Sequence, residues 1–449
     1  MHELTDVELT RGYYMSMQTR KHRTFPRVGI LALLVGALTV TTTLAADWPQ
    51  WRGPRRDGKS SETGLLQQWP DGGPELLWEI NGLGKGYSSM AIVDGVLYTM
   101  GDVEMENDAV QCVLAYDLDT RKRLWAARVG SRHRDGPRCT PTVEGDSVYA
   151  VGTSGDVVAV DIKTGDVRWS RNFQKDLGGG ENPGWRFSES PLIDGDKLLC
   201  TPGGHETVMA ALNKHDGEVI WKCSMPDIGP KGKEQAGYSS IVISEACGVR
   251  QYVQLTNEGV VGVRASDGEF LWGYNRVANS VANISTPVID GDHVFCTTAY
   301  GTGSALLKLE REGDGIKANE VYWLDADTFQ NHHGNVIQVG EYIYGGHDHN
   351  KGKPTCLKMD TGEIMWKHDQ PGGGSAAILY ADGHLYFRYQ NNTVALIEAN
   401  PNKYVLKGTF ELPKRPGMSG PGWAHPVVVD AKLYIRHADV LMCFDVKAK

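Results

Sequence analysis

Apolar residues in this chain fall in short β-branched or alternating runs broken by Asp and Gly. AIVDGVLYTM (residues 91–100), LIDGDKLLCT (192–201), VIDGDHVFCT (288–297) and ILYADGHLYF (378–387) each read as two strands about a tight turn. A second phrase recurs along the chain after such hairpins: TRKRLW, TGDVRW, DGEVIW, DGEFLW and TGEIMW end at Trp125, Trp169, Trp221, Trp272 and Trp366. Glycine, present in all but the variant TRKRLW, supplies the positive φ of a tight hairpin, so each phrase is a turn leading into one more strand. Trp323 and Trp78 keep the same phase, and the seven tryptophans recur at intervals of 43 to 52 residues.

A four-stranded antiparallel unit of this period predicts an all-β fold, a β-propeller. Eight units are counted, beginning near Tyr87, Arg138, Ser188, Tyr238, Ile284, His333, Ser375 and Trp423. The eighth ends in LMCFDVKAK without a closing tryptophan strand, whereas ELLWEI (75–80) stands unclaimed at the front. The ring is therefore expected to close by pairing the N- and C-terminal strands, which leaves no long exposed edge. One tryptophan per unit at fixed phase reads as packing between blades, burying on the order of 200 Å² each. A carbohydrate- or cofactor-stacking row is the alternative for the tryptophans, and a solenoid the alternative architecture.

The start of the chain has a different pattern. Arg20, Lys21, Arg23 and Arg27 precede the apolar run 28–40, and small residues follow it. This order is that of a signal peptide. The expected organisation is a signal over 1–45, with translation starting at Met1, Met15 or Met17, a lead-in over 46–77 and the propeller over 78–449. An uncleaved anchor and a buried core helix are the alternatives, although the run is short for a bilayer span, which takes about 20 residues. No cysteine precedes Cys112, so no thiol is available for lipidation near the cleavage zone. The expectation is a periplasmic or extracellular monomer with no transmembrane helix after cleavage.

The formal charge of −9 argues against a nucleic-acid partner. The eight cysteines are irregularly spaced, with no Cys-x-x-Cys. Free, buried thiols are expected, with one or two bridges as the alternative. No phosphate-binding loop, nucleophile elbow or His-Glu-x-x-His motif occurs.

Aligned on the first hairpin, the units place Ser89, Thr140, Ser190, Ser240, Thr286, Asn335, Ala377 and His425 in one row. Two residues earlier stand Tyr87, Arg138, Ser188, Tyr238, Ile284, His333, Ser375 and Trp423, expected on the same side of the strand. The first row suits backbone satisfaction and ordered water. The second mixes aromatics, a cation and an imidazole, which marks a candidate ligand mouth. The candidate site is Tyr87, Arg138, Trp185, Arg186, Glu189, Tyr238, His333, Trp423 and His425, offering a guanidinium, stacking faces and a carboxylate to an aromatic anion. His347 and His349, two apart, are expected to share a strand face; surface histidines are the default reading and no metal site is assigned.

VVAVDIKTGDVRW (157–169) and CLKMDTGEIMW (356–366) resemble the repeats of pyrroloquinoline quinone (PQQ)-repeat propellers. DWPQWRGPRRDGKS (47–60) resembles the lead-in of exported members common in planctomycete-like bacteria. The resemblance implies either a non-catalytic module, such as the propeller subunit of the outer-membrane β-barrel assembly machinery, or a quinoprotein dehydrogenase. The dehydrogenases carry vicinal cysteines and a catalytic aspartate with calcium ligands, and this sequence has no vicinal cysteines. The expected function is a binding or scaffolding module for a protein or small-molecule ligand. The alternative is a PQQ- and calcium-dependent oxidoreductase acting on alcohols or sugars.

Overall fold

A computed structural model describes residues 47–105, 108–313 and 315–449. The expected signal segment lies outside the described residues. The chain folds as eight four-stranded antiparallel sheets in a ring, an eight-bladed β-propeller. Blade 1 is built from Ala91–Val93, Val96–Met105, Asp108–Asp117 and Arg123–Ser131. Six further blades repeat that order along the chain, and the eighth departs from it. Its inner strands are Val427–Val429, Lys432–His437 and Val440–Asp445, and its outer strand is Glu75–Asn81 from the front of the chain. Glu75 pairs with Asp445 and Asn81 with Val440, so the ends meet in one sheet as the unfinished repeats predict.

The repeated phrase has a local cause and a distant one. In DIKTG, the Asp161 carboxylate accepts the backbone N–H of Lys163 and Thr164 and fixes the turn. The glycine of the turn then lies flat on the tryptophan of the preceding blade. A Cβ on Gly165 would stand 2.8 Å from Trp125, on Gly217 2.6 Å from Trp169, and on Gly268 2.5 Å from Trp221. The indole N–H of Trp125, Trp169 and Trp366 each donates to a carbonyl of the next blade, those of Ile162, Lys214 and Asn400. Trp125 and Trp169 are thus ratchets between neighbours; Trp221 takes the glycine contact while its indole N–H has no partner among the described residues, and Trp272 departs by donating to Gln251 of its own blade. Apolar clusters lie between blades; one joins blades 3 and 4 through Leu199, Ala211, Tyr252 and Val261. All eight cysteines are free, and seven are buried.

Innermost strands are three residues long in six blades, and two are longer: Asn331–Val339 in blade 6 and Ala376–Ala381 in blade 7. The lead-in crosses the channel beside their far ends. Trp48 exchanges two backbone hydrogen bonds with Ile92, and Pro49 accepts one from Val143. Arg56 reaches the carbonyls of Ser190 and Pro191 in blade 3, and Arg52 reaches that of Val336 in blade 6. Gly58 and Ser60 bond with Tyr380 of blade 7, and the Ser60 hydroxyl donates to Val428 of blade 8. These bonds span six blades, so the lead-in ties the ring across its middle. Among the described residues no helix is long and apolar enough to cross a membrane.

Candidate functional site

The approach segments to the innermost strands converge on a cup of about 340 Å³ whose floor is Trp51 of the lead-in. The Trp51 indole N–H donates to the Thr286 hydroxyl, and its ring meets His425 edge-on at 4.6 Å. Most residues of the two rows precede the strands instead of sitting on them, because six innermost strands are so short. Extended approach segments still converge on the axis, so the rows assemble.

Seven of the nine candidate residues line the cup: Tyr87, Arg138, Trp185, Tyr238, His333, Trp423 and His425. His333 stacks on Trp423 at 4.3 Å and 12°, while Tyr87 tilts against Trp423 from another side. Trp185 and Tyr238 form a corner at 62°. Arg138 donates to the Trp185 carbonyl, pairs with Asp135 at 3.3 Å and lies over the Tyr87 ring. Burial lowers the Arg138 pKa, opposed by Asp135.

Arg186 and Glu189 are not in the cup lining. Arg186 lies in the loop at φ +69°, directed by backbone conformation that spacing does not reveal. Glu189 is buried at 4% exposure, accepting from the Thr201 N–H and hydroxyl and from Gln254. Desolvation raises its pKa to about 7 against the hydrogen bonds and the nearby Arg56. The alternation of side chains explains this: Ser188 and Ser190, two apart, face the cup, and Glu189 between them faces into blade 3.

The first row links blades. Ser190 accepts the N–H of Thr140, Ser240 that of Ser190, and Asn335 that of Thr286. Ser89 donates to the His425 carbonyl, carrying the chain of contacts from blade 1 to blade 8.

Blade 6 contributes most to the cup through an irregularity. In its ladder Asn331 pairs with His347 and Val336 with Gly345, so residues 332–335 bulge out of register. Gly334 at the bulge comes so close to blade 7 that a Cβ would stand 1.7 Å from the Ala376 carbonyl. The bulge delivers His332, His333 and Asn335 to the cup. His332 lies 2.8 Å from the Ser375 hydroxyl through Nδ1 and 3.0 Å from the Tyr300 hydroxyl through Nε2. Burial holds His332 and His425 down to about 3 and His333 well below the ordinary imidazole value.

The pairing expected of His347 and His349 does not hold. The strand ends at His347, which stacks on Phe329, while His349 lies beyond it against Tyr300 and His332. Among the described residues no group of three or more His, Cys, Asp or Glu is placed to hold a metal ion. Trp51, His332, Tyr300 and His349 line the cup without having been legible as site residues. The His332–His333 doublet and the His347–His349 spacing carried a signal for two of them, and Trp51 and Tyr300 carried none.

The PQQ_2 family model, described as outer membrane protein assembly factor BamB, matches residues 63–186 and 109–368. The chain belongs to this family of PQQ-repeat propellers. BamB of Shewanella oneidensis is 33% identical over 295 residues, covering 62% of this chain and 67% of that protein. BamB of Yersinia pestis is 23% identical over 291 residues, covering 62% of this chain and 68% of its own length. Among solved structures, BamB from Moraxella catarrhalis superposes with a TM-score of 0.58 at 12% identity, over 83% of this chain and 99% of that one. The quinohemoprotein alcohol dehydrogenase from Comamonas testosteroni gives 0.60 at 12% identity, over 90% and 81%. At such identities the two structures share the propeller fold with this BamB-like chain, and the fold alone.

Proposed function

We propose that this chain is an exported, periplasmic or extracellular binding module, a scaffold whose ligand is received in the cup. The observation that carries the reading is the cup's construction: Trp51 of the lead-in and a wall of aromatic rings, with no carboxylate in the lining among the described residues. Ligand recognition needs such a site: rigid faces, a few directed polar groups and excluded water. The family supports a protein-assembly context, since the relatives are named as outer membrane protein assembly factors.

The fold class also includes PQQ enzymes, and the residues present do not fit that cofactor with calcium. PQQ is a tricarboxylate, whereas the cup has one guanidinium, already paired with Asp135. Calcium takes oxygen ligands, chiefly carboxylates, and of the two carboxylates beside the cup Asp135 is paired with Arg138 and Glu189 faces away. The test is calorimetric titration of the purified chain with PQQ and calcium, alongside a ligand-observed NMR fragment screen of the chain and its Trp185→Ala variant. The expected result is PQQ binding no tighter than about micromolar, and fragment hits lost in the variant. Nanomolar PQQ binding with calcium-dependent dye reduction would overturn the reading, as would a screen whose hits ignore Trp185→Ala.

A further inference from the structure

The geometry points to a neutral saccharide as the ligand class of the cup, an inference resting on the binding-module reading. The first argument is charge. Among the described residues Arg138 is the only Lys or Arg in the lining and no Asp or Glu lines the cup; Arg138 is matched by Asp135 at 3.3 Å. Burial keeps three of the four lining imidazoles, those of His332, His333 and His425, in the neutral form. An anion entering beside Arg138 would also meet Asp135, and a cation entering beside Asp135 would also meet Arg138. Desolvating either is costly without a partner, so the cup favours an uncharged guest.

The second argument is the alternation of faces and edges. Trp185 and Tyr238 form an open aromatic corner, and Trp51 a floor. Between them stand groups that both donate and accept. Ser190 and Ser240 spend their oxygens on backbone N–H groups; the Ser190 hydroxyl also meets the Cys139 sulfur, and the Ser240 hydroxyl hydrogen has no acceptor among the described residues. Tyr300 presents a phenol bonded to His332, which is bonded in turn to Ser375. Whichever way its hydrogens run, this relay leaves Tyr300 able to complete one more hydrogen bond. A flat aromatic guest would satisfy the faces and leave these hydroxyls unpaired. A sugar ring has apolar C–H faces for the rings and a rim of hydroxyls for the polar groups, and so satisfies both.

The third is strain. Tyr300 sits at φ +59°, Asn335 at +65° and Asn350 at +60°, and all three line the cup. Asparagine adopts this conformation readily, but it is disfavoured for a bulky residue such as Tyr300 and persists there where surrounding structure imposes it, often at ligand clamps. The cup's volume of about 340 Å³ sets the scale at one or two rings.

The test measures binding of N-acetylglucosamine, methyl β-glucoside and maltose to the full chain by saturation-transfer NMR and calorimetry, with glucuronate and benzoate as charged probes. At least one neutral glycoside is expected to bind, and glucuronate about tenfold more weakly than methyl β-glucoside. Trp185→Ala, in an exposed loop, should weaken glycoside binding about tenfold or more, and Tyr300→Phe about threefold or more, with melting temperatures unchanged. Tighter binding of benzoate or glucuronate than of any glycoside, or glycoside binding indifferent to Trp185→Ala, overturns the saccharide assignment. Benzoate binding that Trp185→Ala abolishes would overturn it while leaving the cup as a ligand site. Absence of binding by all five probes overturns the ligand class and counts against the binding-module reading as well.

Discussion

Gly217→Ala tests whether the repeated turn is a docking device between blades or only a convenient hairpin. Gly217 has φ +72°, and a Cβ there would meet Trp169 of the preceding blade at 2.6, 2.8 and 3.1 Å. Gly195 is its control within the same blade: φ is +61°, and a Cβ would meet nothing within 4 Å. Both alanines bear the left-handed penalty, about 1–2 kcal/mol, and both gain the same small benefit from a stiffer unfolded chain. Only Gly217→Ala also drives a methyl into a buried indole, adding about 1–3 kcal/mol of overpacking. Gly217→Ala should therefore cost about 2–5 kcal/mol and Gly195→Ala about 1–2 kcal/mol. The indole is the obstacle, so in a Trp169→Ala background the cost of Gly217→Ala should fall to that of Gly195→Ala. The assay is urea unfolding followed by circular dichroism, with equal denaturant slopes required for comparison. Equal costs for the two alanines to within about 0.5 kcal/mol, or a Gly217→Ala cost that persists without Trp169, would refute the docking account.

Two further outcomes follow from closure and burial. Deleting residues 75–80 leaves Val440–Asp445 as an open edge and removes buried Ile80, so the melting midpoint should fall by more than about 5 °C; melting like the intact chain would refute terminal pairing. Glu189 has its pKa raised from 4.5 to about 7, so its neutral-form stability is complete below pH 4.5 and is lost as pH rises through 7. His332 and His425, lowered from 6.5 to about 3, contribute the opposite way, their stability being lost as pH falls below 6.5. Glu189→Gln removes only the first effect. Its stability relative to the parent should rise by about 3 kcal/mol between pH 4.5 and 7, and a constant difference across that window would show that Glu189 stays ionised.

The blade count and the closure of the ring were written in the sequence. Strand alternation and the Thr-Gly or Asp-Gly turn are local codes, and a phrase repeated at a fixed period must occupy equivalent places in a ring. The unfinished ends had to pair because an open blade leaves backbone groups without partners. Six of the seven candidate cup residues, all but the loop residue Trp185, were legible for the same reason: register converts spacing into a common position, as with Tyr87, Arg138 and Tyr238. The remainder depended on contacts between residues far apart in the chain. Glu189 turned inward because neighbours in an extended segment face opposite ways and Thr201 and Gln254 waited there. His332 entered the cup through a bulge set by the close approach of Gly334 to Ala376. Trp51 became the floor because the lead-in, a stretch with no periodic pattern, is held by carbonyls and hydroxyls of strands more than 100 residues away, such as Thr286 and Ser190. Such bonds are indifferent to the identity of the residue that offers its carbonyl, so the sequence carries no mark of them, and only the assembled ring determines where they form.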